Sequence, residues 1–258
     1  MNKIHPTSIV SPIAKIGDEV EIGPFSIIND DVEIGDNTII GPHVNIYDGA
    51  RIGKRVKIFQ GASISNKPQD LKFADEKTYL HIGDDTVVRE FATLHRGTIA
   101  TGHTTIGKNC LLMAYTHVAH DCSLGNNIIL ANSVQLGGHV EIDDWSILGG
   151  GCAIHQFVKI GSHIIASGGT MASADIPPYV MVTGTPARFV GLNSIGLKRR
   201  GFTSDDISAI KDAYHLFYNS GLNMTDAREK IAKKYPDHPV VKNILQFMND
   251  STRTIIRK

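Results

Sequence analysis

One segment of the chain, THVAHDCSLG at 116–125, carries the residue types of general acid–base chemistry. It places His120 directly before Asp121 and adds His117 just ahead of them. An imidazole titrates near neutral pH, and a carboxylate beside it can fix its tautomer, so such a pair can act as a general base. Successive side chains of a strand point in opposite directions, so the pair requires a chain corner at 120–121. We predict such a corner, with His120 and Asp121 paired. The alternative interpretation is that Asp121 only caps a turn.

Several other polar residues are related to His120 by a spacing of 18 residues. Counted modulo 18, three lie within one position of it, and a fourth joins them if the segment 97–105 adds six residues to its turn. The set is His139, His155 and Gln156, with His95 as the fourth. Buried imidazoles need hydrogen-bond partners, so histidines that share one edge of a fold predict a polar site. The amide of Gly138, free of side-chain crowding, could stabilise an oxyanion there.

A repeat of six residues underlies this spacing. Stepping by six from Ile4 reaches Ile, Leu or Val at nearly every stop to Ile160, and only Asp70 and Glu76 break the series outright. Glycine often follows the aliphatic residue, which indicates either permissive backbone angles or close approach of neighbouring segments. A period of six is typical of neither a helix nor an alternating strand. It fits a short strand and a corner, repeated three times per coil.

This pattern resembles the hexapeptide-repeat acyltransferases, whose fold is a left-handed parallel β-helix. We therefore expect a mainly β protein with such a helix over residues 1–190 and with loop excursions at 65–81 and 97–105, which do not fit the repeat. The handedness rests on the resemblance alone, because parallel crossovers are nearly always right-handed. Beyond the repeat, helical patterns predict a C-terminal α-helical domain at 191–258.

The composition limits the classes of partner. Lysine and arginine total 26, as do aspartate and glutamate, so no basic field favours a nucleic acid or an anionic membrane. The start of the chain lacks the pattern of a signal peptide and no apolar stretch could span a bilayer, so we expect a cytoplasmic protein without integral membrane association. Cys110, Cys122 and Cys152 fit neither a disulfide framework nor a metal site. We interpret them as small buried residues and expect neither a metal nor a cofactor.

Seven motifs together resemble the UDP-N-acetylglucosamine acyltransferase family, which carries out the first step of lipid A synthesis. They are NKPQDLKFADE (66–76), TLHRGT (93–98), HVAHDC (117–122), GGHV (137–140), IHQF (154–157), DIPPYV (175–180) and GLKRRGF (196–202). Their combination is more specific than any single hexapeptide run. The resemblance implies transfer of a 3-hydroxyacyl group from acyl carrier protein to the 3-hydroxyl of UDP-N-acetylglucosamine, by a homotrimer with sites between neighbouring subunits.

The resemblance also implies roles for individual residues. His120 would deprotonate the sugar hydroxyl, Asp121 would orient the imidazole, and the Gly138 amide would stabilise the oxyanion. The nucleotide-sugar and acyl sites would be lined by Asp70, Lys72, His95, His117, His139, His155 and Gln156. The residues that would reach the UDP phosphates or the carrier are Asn193, Arg199 and Arg200. Ile195 stands where the family often has an acidic residue, which puts that contact to uridine or ribose in question.

Acyl length in this family is set by side-chain size along a groove between subunits. The motif after IHQF places Gly168 at the end of this ruler, with Ile165 nearby. Since glycine has no side chain to close the groove, we expect a long-chain donor. In the alternative, Gly168 only relieves crowding at a corner, and Ile165 or Met171 sets the limit.

Other functions share parts of this pattern. A hexapeptide carbonic anhydrase would hold zinc through histidines that include two five residues apart, but the fifth residue after His117 is Cys122. Acetyltransferases that use acetyl-CoA typically lack the QDLKFADE excursion and the helical tail. The N-acyltransferase of the same pathway has a uridine-binding domain before its β-helix, whereas the hexads here begin at Ile4. A purely structural scaffold leaves the aligned histidines unexplained.

Overall fold

The computed structural model describes residues 1–258, and its elements are short strands followed by helices. The strands are β1 (Lys3–Ile4), β2 (Ile9–Val10), β3 (Lys15–Ile16), β4 (Glu21–Ile22), β5 (Ile27–Ile28), β6 (Glu33–Ile34), β7 (Ile39–Ile40), β8 (Asn45–Ile46), β9 (Ala50–Ile52), β10 (Lys57–Ile58), β11 (Ser63–Asn66), β12 (Tyr79–Ile82), β13 (Val87–Val88), β14 (Thr93–His95), β15 (His103–Ile106), β16 (Leu111–Leu112), β17 (His117–Val118), β18 (Ser123–Leu124), β19 (Ile129–Leu130), β20 (Gln135–Leu136), β21 (Glu141–Ile142), β22 (Ile147–Leu148), β23 (Ala153–Ile154), β24 (Lys159–Ile160), β25 (Ile165–Ala166), β26 (Met171–Ala172), β27 (Val180–Thr183) and β28 (Arg188–Leu192).

These strands form three sheets, which are the faces of a triangular prism. Sheet A contains β1, β4, β7, β10, β13, β16, β19, β22, β25, β27 and β28; sheet B contains β2, β5, β8, β11, β14, β17, β20, β23 and β26; sheet C contains β3, β6, β9, β12, β15, β18, β21 and β24. Neighbours in a sheet are one coil apart, as in the parallel register of Ile4 with Ile22. Backbone N–H and C=O groups therefore pair between coils. The exception is the antiparallel pair of β27 and β28.

The aliphatic member of each hexad points into the prism and forms its core. Ile28, Ile64 and Leu112 are almost fully buried, and the same holds along the rest of the repeat. The three cysteines lie in the small slots between these side chains and are free and buried, so their prediction as packing residues is confirmed.

Close approach between coils, and not backbone angle, explains the glycines of the repeat. A Cβ on Gly35 would lie 2.6 Å from the carbonyl carbon of Gly53 in the next coil, so no side chain fits there. The left-handed backbone region is occupied instead by the corner residue two positions later, as at Asn37 and Arg55 with φ of 59° and 55°. Of the two explanations that the sequence left open, close approach is therefore correct at these glycines and permissive backbone angles are not.

Each coil turns three corners, and we name the edges of the prism by the sheets that they join. The corner residues have φ between 55° and 69°. They include Phe25, His43, Phe91 and Tyr115 on the AB edge, Asp121, His139 and Phe157 on the BC edge, and Trp145, His163 and Tyr179 on the CA edge. Each edge is thus a column of side chains stacked at the coil repeat.

Both excursions leave the prism at the BC edge, immediately before the coil of Asp121. The first joins β11 to β12 over residues 67–78, and the second joins β14 to β15 over residues 96–102. Both are shorter than predicted, because the flanking strands continue past the hexad and pair with each other, as Tyr79 does with His103. The first excursion and the second excursion are therefore neighbours on the edge that carries the histidine–aspartate corner.

Four helices follow the last strand: α1 (Ser194–Arg199), α2 (Ser204–Asn219), α3 (Met224–Lys234) and α4 (Pro239–Asp250). Thr203 begins α2 with a capping box, in which its side chain accepts from the Asp206 N–H and the Asp206 carboxylate accepts in return. Ile210 and Ile244 of α2 and α4 are fully buried in the core that these helices share with the prism. None of the helices has the length and apolarity needed to cross a membrane.

Candidate active site

The corner predicted at 120–121 is present on the BC edge. Asp121 has a φ of 60°, which turns its side chain back toward the preceding residue. His120 Nδ1 and Asp121 Oδ2 are 2.7 Å apart, a short hydrogen-bond distance. The carboxylate is buried and the imidazole is half-buried. Asp121 therefore does more than cap a turn: it holds one nitrogen of His120 and leaves Nε2 free.

Two threonines of the second excursion complete the surroundings of Asp121. Thr98 donates from its backbone N–H to Oδ1 at 2.9 Å and from its hydroxyl to Oδ2 at 2.8 Å, and the Thr101 hydroxyl also contacts Oδ1. Burial works to raise the pKa of Asp121, but the hydrogen bonds from Thr101, His120 and Thr98 outweigh it and lower the pKa to about 2. The carboxylate is therefore ionised at neutral pH, and it accepts a hydrogen bond from the Nδ1–H of His120.

His139 lies one coil above Asp121 on the same edge. Its ring stands edge-on to that of His120, with centroids 5.4 Å apart, and its Nε2 is 3.6 Å from Asp121 Oδ2. Phe157 stacks on the other side of His139 at 4.4 Å. Phe157 was not among the predicted residues, although it follows His139 by 18 and the same counting would have placed it.

His95 and His117 form a second pair of imidazoles below the corner. Their rings meet edge to face with centroids 4.9 Å apart, and the Thr93 hydroxyl lies 2.7 Å from His117 Nδ1. Burial, with the neighbouring charges of His117 and His120, lowers the pKa of His95 to about 4. The pKa of His117 is lowered for the same reasons, burial first and then His120. Both rings are therefore neutral near pH 7 and offer hydrogen bonds without adding charge.

Gly138 packs directly against His120. A Cβ on this residue would stand 2.7 Å from Cε1 and 2.9 Å from Nε2 of the imidazole, so only glycine fits. The amides on either side are occupied, since Gly137 N donates to the Ile154 carbonyl and His139 N donates to the His120 carbonyl. The Gly138 N–H has no acceptor in the protein, and the residue packs against the His120 imidazole.

The chain is similar to known proteins of one enzyme family. Residues 175–256 match the family model described as UDP N-acetylglucosamine O-acyltransferase, domain 2, and residues 13–48, 31–66 and 103–138 match the bacterial transferase hexapeptide model. An acyl-(acyl-carrier-protein)–UDP-N-acetylglucosamine O-acyltransferase from Thiobacillus denitrificans is 45% identical over 258 residues, which covers 100% of both chains. The chain belongs to the UDP-N-acetylglucosamine O-acyltransferase family. The enzyme of that name from Myxococcus xanthus is also 45% identical, again over 100% of both chains.

Solved structures of the O-acyltransferase family agree in fold. The UDP-N-acetylglucosamine acyltransferase of Francisella novicida matches with a TM-score of 0.96 at 40% identity, over 99% of this chain and 94% of that one. The enzyme from Bacteroides fragilis matches with a TM-score of 0.96 at 44% identity, over 98% and 99%. The prediction of a left-handed parallel β-helix with a C-terminal α-helical domain is confirmed, as is the prediction of an acyltransferase.

In this O-acyltransferase, the side chains of His155 and Gln156 make no hydrogen bond to the other predicted polar residues. Both are exposed, and His155 Nδ1 lies 3.1 Å from the Gln156 carbonyl oxygen. His155 lines a largely apolar cavity of about 420 Å³ together with Ala153, Met171, Ala172 and Pro186. Counted by coils, His155 corresponds to Ala119 and Gln156 to His120, each two coils higher, and both lie in the turn after β23.

The residues predicted to meet the sugar nucleotide lie in two separate places. Asp70 and Lys72 belong to the first excursion, where Asp70 Oδ1 accepts the Lys72 N–H at 3.0 Å. Arg199 is exposed at the end of α1, while Arg200 lies over the Trp145 ring, 5.1 Å from its centroid. None of these side chains hydrogen-bonds to His120 or Asp121 within the chain.

The side chain of Asn193 makes two hydrogen bonds to nearby backbone groups. Its Oδ1 accepts the Gly196 N–H at 3.1 Å as the N-cap of α1, and its Nδ2 donates to the His163 carbonyl at 2.9 Å. The residue is buried, in contrast to Ile195, which is exposed. The predicted contact of Asn193 with a ligand stays a prediction, and this geometry does not favour it. Asparagine is a preferred N-cap residue, because its side-chain oxygen accepts an N–H of the first turn.

The two residues predicted to measure acyl length lie at the AB edge and on sheet A. A Cβ on Gly168 would be 3.2 Å from the Gly150 carbonyl oxygen and otherwise near only the Gly150 nitrogen, at 3.8 Å, so space remains for a side chain. Ile165 faces outward from β25, in register with Ile147 and Met181. Neither residue lines the cavity beside His155.

His120, Asp121 and His139 also bring possible ligand atoms within 4.8 Å of one another. Both oxygens of the carboxylate already accept hydrogen bonds, from Thr98 and from His120. Asp121 is therefore satisfied by protein donors, and its geometry is explained without a cation.

Proposed function

We propose that this O-acyltransferase moves a long-chain (R)-3-hydroxyacyl group from acyl carrier protein to the 3-hydroxyl of UDP-N-acetylglucosamine, the first step of lipid A synthesis. The relatives that match over their whole length carry the name of this reaction. The observation that carries the mechanism is the His120 ring, which is tied to Asp121 through Nδ1 and packed against Gly138 at Nε2.

In the proposed reaction, His120 Nε2 removes the proton from the sugar hydroxyl as its oxygen attacks the thioester carbonyl carbon. Asp121 stabilises the imidazolium that forms, in the manner of other histidine–carboxylate pairs. The carbonyl oxygen becomes an oxyanion and accepts the N–H of Gly138. When the tetrahedral intermediate collapses, the carbon–sulfur bond breaks and the departing thiolate takes the proton from His120. The base is then restored and no cofactor is consumed.

We propose that the remaining polar residues bind the substrates. His95, His117 and His139 surround the corner and would contact the sugar and the acyl hydroxyl as neutral or partly buried donors. The residues farther away would act from a neighbouring subunit or on the nucleotide and the carrier: Asp70, Lys72, His155, Gln156, Asn193, Arg199 and Arg200. Of these, Arg199 is the exposed cation best placed to meet an acidic carrier.

A homotrimer with sites between subunits is part of this proposal. Sheet A presents an outward row of apolar side chains in register, and these residues are half-buried in a single subunit: Val87, Leu111, Ile129, Ile147 and Ile165. A continuous apolar row on the outside of a protein favours coverage by a partner. Because acyl carrier protein is the proposed donor, we place the reaction in the cytoplasm.

The test is direct: incubate the protein with UDP-N-acetylglucosamine and a long-chain 3-hydroxyacyl carrier protein, and measure acylated sugar nucleotide by mass spectrometry. We expect product that depends on both substrates, persists in a metal chelator and is not formed from acetyl-CoA. Product from acetyl-CoA alone would support the acetyltransferase alternative. Loss of activity in chelator would contradict a metal-free mechanism.

A further inference from the structure

The structure shows what holds Asp121, as well as what Asp121 holds. Thr98 donates to both carboxylate oxygens, from its backbone N–H at 2.9 Å and from its hydroxyl at 2.8 Å. The hydroxyl has one proton, and its other contact is as the acceptor of the Ala100 N–H at 3.2 Å, so the two roles do not compete. Thr98 is buried and forms a two-point clamp on the carboxylate.

Thr101 also contacts this carboxylate, but its hydroxyl has a second possible acceptor. Its hydroxyl lies near both Asp121 Oδ1 and the His103 carbonyl oxygen, and a single proton cannot be given to both. Thr98 brings a backbone donor in addition and has no competing acceptor. It is therefore the main anchor of Asp121.

The first excursion braces the loop that carries Thr98. Glu76 Oε1 accepts the Ile99 N–H at 3.1 Å, while its Oε2 accepts the Ala74 N–H at 2.7 Å. Backbone bonds join the same segments, since Tyr79 N donates to the Gly102 carbonyl at 3.0 Å. The two excursions form one hydrogen-bonded unit beside the corner, and this unit contacts Asp121 through Thr98 and Thr101.

We propose that Thr98 is a positioning residue for the reaction, which acts by fixing the Asp121 carboxylate at the place and orientation that the His120 imidazole requires. The proposal rests on the proposed function of His120. Thr98 has no free polar atom for a substrate, because its hydroxyl and its N–H are both engaged. Without the clamp the carboxylate could rotate, and the His120 Nδ1–H would lose its fixed acceptor, which disturbs the tautomer of the base.

The main test compares Thr98→Val, which keeps the shape and removes the hydroxyl, with Thr98→Ser, which keeps the hydroxyl. We expect Thr98→Val to lower kcat by about 10- to 100-fold while KM for both substrates stays near the wild-type value, and Thr98→Ser to recover most of the rate. Thr104→Val is the matched control, because Thr104 is fully buried in β15 and its hydroxyl has no hydrogen-bond partner. Wild-type kcat in Thr98→Val would overturn the proposal, and so would equal losses in Thr98→Val and Thr98→Ser.

A second measurement does not depend on turnover. The Nδ1–H proton of His120 should give a downfield signal in the proton NMR spectrum, assigned by its absence in His120→Ala, and Thr98→Val should broaden or shift it. If Thr98→Val does not fold, Glu76→Ala frees the same loop from a less buried position and should weaken the signal in the same direction. An unchanged signal in a folded variant would contradict the clamp alone, whereas a wild-type protein that makes no product would contradict the proposed function alone.

Discussion

The AB and BC edges of the prism are built in the same way, but only the BC edge carries the proposed catalytic pair. On the AB edge, Phe25 stacks on His43 with centroids 5.0 Å apart; on the BC edge, His139 stacks on Phe157 at 4.4 Å. All four residues take the left-handed corner conformation, with φ from 55° to 64°. A stacked imidazole at a corner is therefore a property of the coil and carries no function by itself.

The two edges differ because the two excursions cover the BC edge. Phe25 and His43 are exposed, and nothing covers their column. Both excursions leave from the BC edge, and Thr98 closes over Asp121, so the carboxylate is buried and fully hydrogen-bonded. Electrostatic interactions strengthen when water is excluded, which is the condition that the proposed base chemistry of His120 requires.

The sharpest way to break this comparison is to remove one imidazole from each edge. We expect His120→Ala to lower kcat by about 10²- to 10⁴-fold, because a positioned general base is worth that much. The matched variant His43→Ala removes an exposed imidazole from the AB edge. It should leave kcat unchanged. Steady-state assays with folding checked by circular dichroism measure both, and a folded His120→Ala enzyme with most of its rate would refute the assignment of the base.

Glycines at equivalent places on the two edges allow a second comparison. A Cβ on Gly138 would be 2.7 Å from His120 Cε1, whereas a Cβ on Gly150, just before the AB corner, would meet only the Asn132 carbonyl oxygen at 3.3 Å. We expect Gly138→Ala to push the imidazole aside and lower kcat by about 10²-fold, as small misplacements of a base do. Gly150→Ala should keep its rate. Equal rates in the two variants would show that the His120 ring does not depend on contact with Gly138.

The period of six was enough to predict the prism and the common edge of His120 and His139, because the number of residues per coil fixes which side chains are stacked. The count does not show which neighbours a side chain contacts: His155 lies beside an apolar cavity, and its predicted role in the site stays a prediction. Thr98 could not be found, since an excursion follows no period and the pairing of its side chain depends on tertiary contacts. Phe157 was within reach of the counting and was omitted only because it is not polar.

The two edges should also differ in how their histidines make the free energy of unfolding depend on pH. Burial lowers the pKa of His95 to about 4, so the folded state resists protonation that the unfolded chain accepts below about 6.5. The unfolded state then binds more protons, and stability, present in full above pH 6.5, is lost as the pH falls through about 4. The free energy of unfolding at pH 4 is then lower by roughly 3 kcal/mol than it is above pH 6.5.

Replacement of each imidazole tests that linkage. His95→Gln should flatten the dependence of the unfolding free energy on pH between 6.5 and 4, while His43→Gln, at an exposed position of the AB edge, should leave the slope as it is. Urea denaturation at a series of pH values gives both slopes. A His95→Gln slope equal to that of the wild type would mean that the folded protein protonates this ring as readily as the unfolded chain does.

The smallest expected effect concerns the AB edge. We expect this edge to influence donor selection by leaving room for the acyl chain at Gly168. Gly168 precedes a corner there, and a Cβ on it has only the Gly150 backbone nearby, with 3.2 Å to the carbonyl oxygen. A long side chain can therefore be placed at this position with a slight adjustment, and it would extend into the proposed acyl groove. Each buried methylene is worth about 0.8 kcal/mol, so two methylenes excluded from the groove change the preference between donors by roughly 15-fold.

Gly168→Met should therefore shift the ratio of kcat/KM toward donors two or more carbons shorter, with kcat on the short donor close to that of the wild type. Competition between two hydroxyacyl carrier proteins of different chain length measures the ratio directly. Ile165→Ala is the companion variant, because Ile165 faces outward on the neighbouring strand β25 and was the alternative limit. If Gly168→Met keeps the donor profile and Ile165→Ala lengthens it, the limit lies on sheet A and the AB edge has no part in substrate selection.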